Sequence, residues 1–400
     1  MYDARRIWSN IYTFRTMTHI SIKNLYQFFI IILLPVMSII SCTNQTTHSS
    51  SSPSLSNRFK YAQNIRANER GDTIIVYVHT ATKKDSITYI LCDSGQVKPH
   101  NLQQKIMYIQ VPITRVAALS TTEIACIDEI KQTHTIMAVC DIFRVSNPTI
   151  QQKYSEGKII DLGTSMNENR EKILLTKPDI VIKTLFSIDE IQKDKVLIDN
   201  EIPVLYINNW QEISPLGRTE WIQCLGLLYK TTEQTDSIFS AIETKYNTLK
   251  EKVLHIQNKP TVLAGDMIKD VWYLPGGNSY VAQFIKDAGG NYIYAHNSNT
   301  GSSPVNFEQL LGYAKHVDVW IGTESISKTE LLHKSTSYSY LSVCKTKNCY
   351  NYHKRRTPKG GNDYWESGTI RADVILADLI HIFHPTVLPN HSLVYFQNIE

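Results

Sequence analysis

Residues 231–256, TTEQTDSIFSAIETKYNTLKEKVLHI, carry the pattern that decides the fold. Apolar side chains recur there at intervals of three and four residues, the stripe of an amphipathic helix: Ile238, Phe239, Ile242, Tyr246, Leu249 and Val253. Thr231 and Gln234 have the spacing of a capping box at a helix start. Pro260 would end any helix that continues beyond residue 256. A helix of this length measures roughly 37 Å, enough to join two lobes, and we call it the spine helix. The alternative is an ordinary surface helix of one large domain.

The length and composition indicate a globular protein with two cores. A chain of 400 residues exceeds the usual size of a single core. Its 42% apolar and 20% charged residues are ordinary for a globular protein. The formal charge of +4 is small, and no run of lysines and arginines alternates with aromatic residues. We therefore expect no nucleic-acid partner.

Residues 1–41 are typical of a signal peptide. Residues 26–40, YQFFIIILLPVMSII, are almost entirely apolar. A run of about 15 residues falls short of the roughly 20 that span a membrane, and it suits the apolar part of a signal peptide. Met17 would give a more usual length than Met1, so either methionine could be the start.

A lipid anchor is expected directly after this segment. Residues 39–42, IISC, resemble the lipobox of bacterial lipoproteins, in which the cysteine is diacylated. We predict lipidation at Cys42, with a plain signal anchor as the alternative. Residues 42–57 are rich in Ser and Thr and contain little that could be buried. They predict a disordered tether between the membrane and the folded part.

The remaining cysteines lie in an oxidising compartment if the signal peptide is genuine. Cys344 and Cys349, in CKTKNC, are close enough in sequence to form a disulfide. No cysteine pair has the spacing of a zinc site, so we predict no metal. Three cysteines have apolar neighbours and are expected to be buried: Cys126, Cys140 and Cys224.

Strands and helices alternate on both sides of the spine helix. Residues 58–111 predict a β-ribbon at a sheet edge, with strands at residues 72–79 and 86–92. Residues 112–230 form a first lobe, the spine helix covers residues 231–257, and residues 258–400 form a second lobe. This alternation predicts an α/β fold with parallel sheets. Ligands of such sheets bind at the carboxyl ends of the strands.

Several polar and aromatic residues follow those strand ends and are candidates for a ligand-binding cleft. Arg218 could meet a carboxylate of a ligand, or it could form an ordinary salt bridge. Trp272 and Tyr273 could stack on a planar ligand, or they could pack inside the lobe. The full set of candidates is Ser120, Thr121, Ser165, Met166, Trp210, Arg218, Trp272, Tyr273, Asn278, Tyr364 and Trp365.

Three segments resemble successive elements of the periplasmic binding proteins that carry ferric siderophores, haem or cobalamin to ATP-binding cassette importers. They are PITRVAALSTTEIACIDEI at 112–130, DLGTSMNENREKILLTKPDIVI at 161–182 and IPVLYI at 202–207. The resemblance extends from residue 112 to the C-terminus and is best at 169–182. It implies the class III architecture, in which two Rossmann-like lobes with parallel sheets are joined by a single long helix.

The resemblance also implies a function. The chain would be a solute-binding lipoprotein of the bacterial cell envelope, anchored by lipid on the periplasmic side, monomeric and without a cofactor. It would capture a metal chelate between its lobes and deliver it to an importer permease in the inner membrane. Glu171 and Glu308 match the acidic residues that dock each lobe onto the permease, although a glutamate there also favours the helix dipole.

The nature of the chelate stays open at this stage. Haem would need an axial ligand, for which Tyr273 or Tyr364 could serve. Cobalamin would suit the aromatic set Trp210, Trp272 and Trp365. A ferric siderophore would need several cations, of which only Arg218 is recognisable.

The alternatives are a non-transport envelope lipoprotein and an enzyme with the same two-lobe fold. The sequence has no G-x-S-x-G elbow and no H-E-x-x-H helix. We therefore predict that the chain is not an enzyme. An adhesin or structural lipoprotein would need neither the paired glutamates nor the spine helix.

Overall fold

A computed structural model describes residues 57–70, 73–80, 85–93 and 106–400. The predicted signal peptide, the predicted lipidation at Cys42 and all but the last residue of the predicted tether lie outside these residues. Residues 55–400 group into one compact unit. Within the described ranges, none of the helices combines the length and the apolar composition that crossing a membrane requires.

The described chain alternates strands and helices over most of its length. The strands are β1 Ile65–Arg70, β2 Thr73–His79, β3 Ser86–Asp93, β4 Ile106–Val111, β5 Val116–Ala118, β6 Ile136–Val139, β7 Ile160–Asp161, β8 Gly163–Thr164, β9 Asn167–Glu168, β10 Ile180–Thr184, β11 Val204–Ile207, β12 Thr261–Ala264, β13 Met267–Ile268, β14 Val271–Pro275, β15 Asn291–Tyr292, β16 Ser302–Asn306, β17 Val319–Ile321, β18 Cys349–Asn351 and β19 Gln397–Asn398. The helices are α1 Thr121–Glu129, α2 Pro148–Ser155, α3 Arg170–Thr176, α4 Asp189–Lys193, α5 Lys195–Asp199, α6 Pro215–Glu220, α7 Ile222–Tyr229, α8 Thr232–Val253, α9 Tyr280–Asp287, α10 Phe307–Tyr313, α11 Lys328–Lys334 and α12 Ala372–Phe383.

The first lobe contains a five-stranded sheet in the order β11-β10-β5-β6-β7. All its neighbouring strands are parallel. Residues 180–183 of β10, Ile-Val-Ile-Lys, are all buried, as expected for a strand covered on both faces. The carboxyl ends of β5, β6 and β10 point to one edge of the sheet. That edge faces the second lobe.

The second lobe repeats this plan with one change. Its five-stranded sheet has the order β15-β12-β17-β18-β19. The strands are parallel except β19, which runs antiparallel to β18 at the edge. A separate antiparallel sheet, β13-β14-β16, follows β12 in the chain. The predicted two-lobe α/β fold with parallel sheets is therefore confirmed, with β19 as an antiparallel exception.

Helix α8 is the predicted spine helix. Its 22 residues span about 33 Å at 1.5 Å per residue. Phe239 is buried in the core of the first lobe, whereas Tyr246 and Val253 are buried in the core of the second. One apolar stripe thus belongs to two cores, which confirms the helix as the link between the lobes.

The predicted capping box at the start of the spine helix is wrong. Thr231 occupies the N-cap position, but its side chain accepts no capping hydrogen bond. Gln234 instead donates from Nε2 to the Ile130 carbonyl oxygen at 3.4 Å. The backbone of Thr231 explains this, because its ψ of 39° departs from the extended conformation that brings an N-cap side chain to the N–H groups of the first turn.

The segment before the spine helix forms two short helices. Helix α6 ends at Glu220 and α7 begins at Ile222, with Trp221 between them. Leu216 of α6 is buried in the second core, whereas Trp221 is buried in the first. The α6–α7 segment therefore supplements the spine helix as a connection between the lobes.

The N-terminal extension is larger than predicted. It forms a four-stranded sheet in the order β1-β2-β3-β4 instead of a two-stranded ribbon. Its buried side chains join the first core. The backbone N–H of Tyr206, on the edge strand β11, donates to the Tyr89 hydroxyl at 3.0 Å. The extension thus covers an edge that would otherwise expose backbone groups.

Candidate functional site

A cleft between the lobes has two compartments. The larger has a volume of about 550 Å³ and the adjoining one about 400 Å³, both within the usual range for ligand sites. We call them the aromatic compartment and the polar compartment. Residues that line both are Ser120, Thr121, Thr184, Phe186, Glu324 and Trp365.

The first lobe supplies hydroxyl groups to the cleft from two strand ends. Ser120 follows β5 and is the N-cap of α1, where its Oγ accepts a hydrogen bond from the Thr122 backbone N–H at 3.2 Å. Thr184 is the last residue of β10. Both hydroxyls reach the cleft because parallel strands end at the same edge of the sheet.

Aromatic side chains from both lobes line the larger compartment. On the first lobe, the rings of Phe186 and Trp210 lie 5.9 Å apart. On the second lobe, Tyr352 and Tyr364 stack with centroids 4.7 Å apart and an angle of 18°. Trp365 packs edge-on against both tyrosines, and 39% of it remains exposed. These faces form an apolar surface suited to a ligand with flat rings.

Arg218 adds a positive charge to the aromatic compartment. Its guanidinium lies 4.4 Å from the ring centroid of Tyr280 on α9, a cation–π contact between α6 and the second lobe. Its Nε is buried without a hydrogen-bond partner. The expected alternative, an ordinary salt bridge, is absent for Arg218 within the described residues.

The polar compartment contains charged groups from both lobes. Arg144 comes from the first lobe and Arg356 from the second. Neither arginine forms an ion pair with a residue in the described part of the chain. Asp141 accepts from the Ser165 backbone N–H at 2.9 Å. The two arginines therefore have donors available for an anionic group.

Glu324 and His353 form a fixed pair on the second-lobe side of this compartment. The carboxylate of Glu324 accepts from the Tyr352 hydroxyl and lies 3.2 Å from Nε2 of His353. The hydrogen bond from His353 lowers the pKa of Glu324. These contacts hold the Glu324 carboxylate on the surface shared by the two compartments.

Lys183 lines the polar compartment, but its charge is already compensated. Its Nζ is buried and lies 2.9 Å from Glu168, 3.2 Å from Asp194 and 3.4 Å from Glu190. Arg170 completes this network with contacts to Glu168 and Asp194. Lys183 therefore stiffens the first-lobe wall and is not a free cation.

The structure places most of the predicted cleft residues on the cleft surface. Those that line one or both compartments are Ser120, Thr121, Ser165, Trp210, Arg218, Tyr273, Tyr364 and Trp365. Met166, Trp272 and Asn278 do not line either compartment.

Each of these three exceptions has a local reason. Trp272 is fully buried against Trp320, because alternate residues of β14 face opposite sides and Tyr273 takes the cleft side. Met166 lies in the turn between β8 and β9 and is 79% exposed. Asn278 donates from Nδ2 to the Ser298 carbonyl oxygen at 3.1 Å, in the loop between β15 and β16.

Further cleft residues were not predicted from the sequence. Tyr352 follows β18 directly and Glu324 follows β17 by three residues, so the rule that ligands bind at strand ends could have identified them. The complete set of charged and aromatic residues missed is Asp141, Arg144, Lys183, Phe186, Asp266, Tyr280, Glu324, Tyr352, His353, Arg356 and Phe396.

The expected disulfide between Cys344 and Cys349 is not formed in this structure. Both are free cysteines. The Cys349 thiol donates to the Val343 carbonyl oxygen at 3.5 Å. No group of three or more His, Cys, Asp or Glu side chains in the described ranges is arranged to hold a metal ion.

Two buried carboxyl groups lie beside the cleft. Glu366 accepts from the backbone N–H groups of Ser146 at 2.6 Å and Asn147 at 2.9 Å, and so connects the second lobe to the start of α2. Glu123 accepts from the Thr184 hydroxyl at 3.4 Å. Burial is the main cause that raises the pKa of each carboxyl group to about 7.

Comparison with known proteins gives consistent matches. Residues 116–341 match the family model described as periplasmic binding protein. The chain is similar to two uncharacterized lipoproteins of Methanocaldococcus jannaschii. One is 30% identical over 312 residues, covering 73% of this chain and 70% of the relative. The other is 24% identical over 327 residues, covering 78% of this chain and 80% of the relative.

Solved structures agree in fold. A periplasmic haem-binding protein from Pseudomonas aeruginosa superposes with a TM-score of 0.56 at 14% identity, covering 72% of this chain and 98% of that one. An ABC transporter substrate-binding protein from Listeria monocytogenes superposes with a TM-score of 0.51 at 14% identity, covering 68% of this chain and 100% of that one. At these identities the likeness concerns the fold alone.

The raised pKa values of Glu366 and Glu123 predict a pH dependence of stability. Between pH 4.5 and 7 the folded state keeps protons that the unfolded state releases, so the free energy of unfolding falls as pH rises. Between pH 5 and pH 8, the free energy of unfolding should fall by about 2 kcal/mol less in Glu366→Gln or in Glu123→Gln than in the wild type. Urea unfolding at both pH values measures this. Glu171→Gln, at an exposed position, is the control, and equal pH dependence in all variants would contradict the assignment.

Proposed function

Because the chain belongs to the family of periplasmic binding proteins, we propose that it is the solute-binding lipoprotein of an ATP-binding cassette importer. It captures a metal chelate in the cleft and delivers it to the permease. The observation that carries this proposal is the aromatic compartment of about 550 Å³, which is lined by rings from both lobes. A ligand held there contacts both lobes at once.

The chemistry of the cleft supports an anionic chelate with flat rings. The aromatic faces provide stacking surface, and Arg218, Arg144 and Arg356 provide cations from both lobes. A ferric siderophore or haem with its carboxylates matches both features. Tyr273 is 40% exposed in the cleft, whereas Tyr364 is stacked and buried. Tyr273 is therefore the better candidate for an axial ligand of haem.

Binding is favoured over catalysis. Members of the matched family and the solved structures named above are binding proteins. Affinity would come from a largely preformed apolar surface with a few polar anchors.

Glu171 and Glu308 support docking onto a permease. Each is exposed at the second residue of a short helix whose start is capped by an asparagine side chain, Asn169 for α3 and Asn306 for α10. Neither glutamate has an ion pair in the described part of the chain. Helices that lead into parallel strands begin at the carboxyl edge of the sheet. Both carboxylates would thus lie at the cleft end of their lobes, available to arginines of a permease.

Two features support a lipid-anchored place in the cell envelope. The family is periplasmic by its description, and two similar proteins are described as lipoproteins. The IISC segment ending at Cys42 supplies the acylation site. The folded unit would then be held near the permease by residues 42–57.

Substitution of a cleft tryptophan should weaken ligand binding. We expect saturable binding of haem, cobalamin or a ferric siderophore by residues 55–400, followed by tryptophan fluorescence and visible absorption. Trp210→Ala or Trp365→Ala should reduce the affinity for the bound chelate about tenfold, because each removes a stacking face worth roughly 1.5 kcal/mol. Tyr340→Ala, an exposed aromatic outside the cleft, should leave it unchanged. An equal loss of affinity in all three variants would contradict the assignment of the cleft as the binding site.

Removal of both docking carboxylates should separate binding from transport. The double substitution Glu171→Ala and Glu308→Ala should abolish uptake of the chelate by cells and leave its affinity unchanged, because both side chains lie outside the cleft. Substitution of two exposed glutamates of the spine helix, Glu233→Ala and Glu251→Ala, is the matched control. Normal uptake by the first double variant would refute the docking role.

A further inference from the structure

The segment that leads into the first strand crosses the boundary between the lobes. We call residues 57–64, NRFKYAQN, the strap. Phe59 is buried in the first core. Tyr61 packs against both the first and the second core. A side chain in contact with both cores must shift against at least one of them when the lobes move apart.

A buried carboxylate holds the middle of the strap. Glu220, at the end of α6, is 1% exposed. Its two oxygens accept hydrogen bonds of 2.7 Å from three consecutive backbone N–H groups, those of Lys60, Tyr61 and Ala62. Hydrogen bonds to an ionised acceptor are stronger than neutral ones. Three of them on one carboxylate fix the path of the strap across α6.

A second buried carboxylate holds the end of the strap. Glu212 accepts from the backbone N–H groups of Gln63 at 2.8 Å and Asn64 at 3.0 Å. It also accepts from Nε1 of Trp221 at 2.9 Å. Because Trp221 separates α6 from α7, this carboxylate joins the strap to the segment that connects the lobes.

The strap lies directly on the backbone of α6. A Cβ at Gly217 would come within 2.9 Å of the Tyr61 carbonyl oxygen, so the contact requires glycine. The next residue, Arg218, reaches the cleft and contacts Tyr280 of the second lobe. Helix α6 therefore carries the strap on one face and a cleft residue on another.

The strap also contacts the spine helix. Arg58 pairs with Asp236, and Lys60 pairs with Glu243. The Tyr61 hydroxyl donates to the same Glu243 carboxylate. Exposed ion pairs contribute little to stability. The principal restraints on the strap are therefore its hydrogen bonds to Glu220 and the packing of the Tyr61 ring against both cores.

We propose that the strap is a clamp on the hinge between the lobes and limits how far the cleft opens. It joins α6, the spine helix and both cores, so the lobes cannot separate widely without breaking its contacts. Loss of the clamp would leave each core intact and increase the motion of one lobe against the other. The proposal does not depend on which ligand the cleft binds.

The test is amide hydrogen exchange by mass spectrometry on the ligand-free full chain in detergent. Glu220→Gln keeps the side-chain volume but replaces one of the two accepting oxygens with an NH2 group. Tyr61→Ala removes the ring that packs against both cores. Each should accelerate exchange at least tenfold in the strap, in α6 and in α9 of the opposite lobe. Exchange in β10, within the first core, should not change.

Two controls separate the clamp from a general loss of stability. Glu233→Gln makes the same chemical change at an exposed position of the spine helix and should exchange like the wild type. Tyr61→Phe keeps the ring and loses only the hydroxyl contact to Glu243, so it should remain within about twofold of the wild type. Faster exchange confined to the strap, or equally faster exchange in β10, would overturn the proposal, as would unchanged exchange in α9.

Discussion

The whole architecture depends on one apolar stripe that belongs to two hydrophobic cores. The spine helix places Phe239 in the first core and Tyr246 and Val253 in the second. Because each core is stabilised by burying part of the same rigid helix, core packing restrains the distance and orientation between the lobes. The cleft is therefore a consequence of packing, and a ligand does not have to assemble it.

The contacts around the spine helix add to this restraint at several points. Helix α6 has Leu216 in one core and is followed by Trp221 in the other. Glu366 of the second lobe accepts backbone hydrogen bonds from the first, and the strap packs on α6 and on both cores. These contacts differ in chemistry. Apolar packing is insensitive to pH, whereas the buried carboxyl group of Glu366 titrates near neutrality.

Sequence periodicity was sufficient for the main elements but not for residues fixed by tertiary contacts. The stripe in the spine helix and the alternation of strands and helices are local signals, so the two-lobe fold was predictable. Which of Trp272 and Tyr273 faces the cleft depends on the register of β14 with β16, and that register is set by the partner strand. The capping at Thr231 failed for a related reason, since the backbone of Thr231 after the turn from α7 is not extended and its side chain makes no capping hydrogen bond. Arg356 pairs with no carboxylate in the described residues, and no sequence pattern indicates that it would line the same compartment as Arg144.

The most direct measurement is a crystal structure of residues 55–400 grown with the chelate that binds. We expect density for one chelate between the lobes, with its rings against Trp210 and Trp365 and its anionic groups towards Arg218 or towards Arg144 and Arg356. We also expect a spine helix of unchanged length. A chelate bound on the outer surface of one lobe, with the cleft left empty, would contradict the cleft as the binding site.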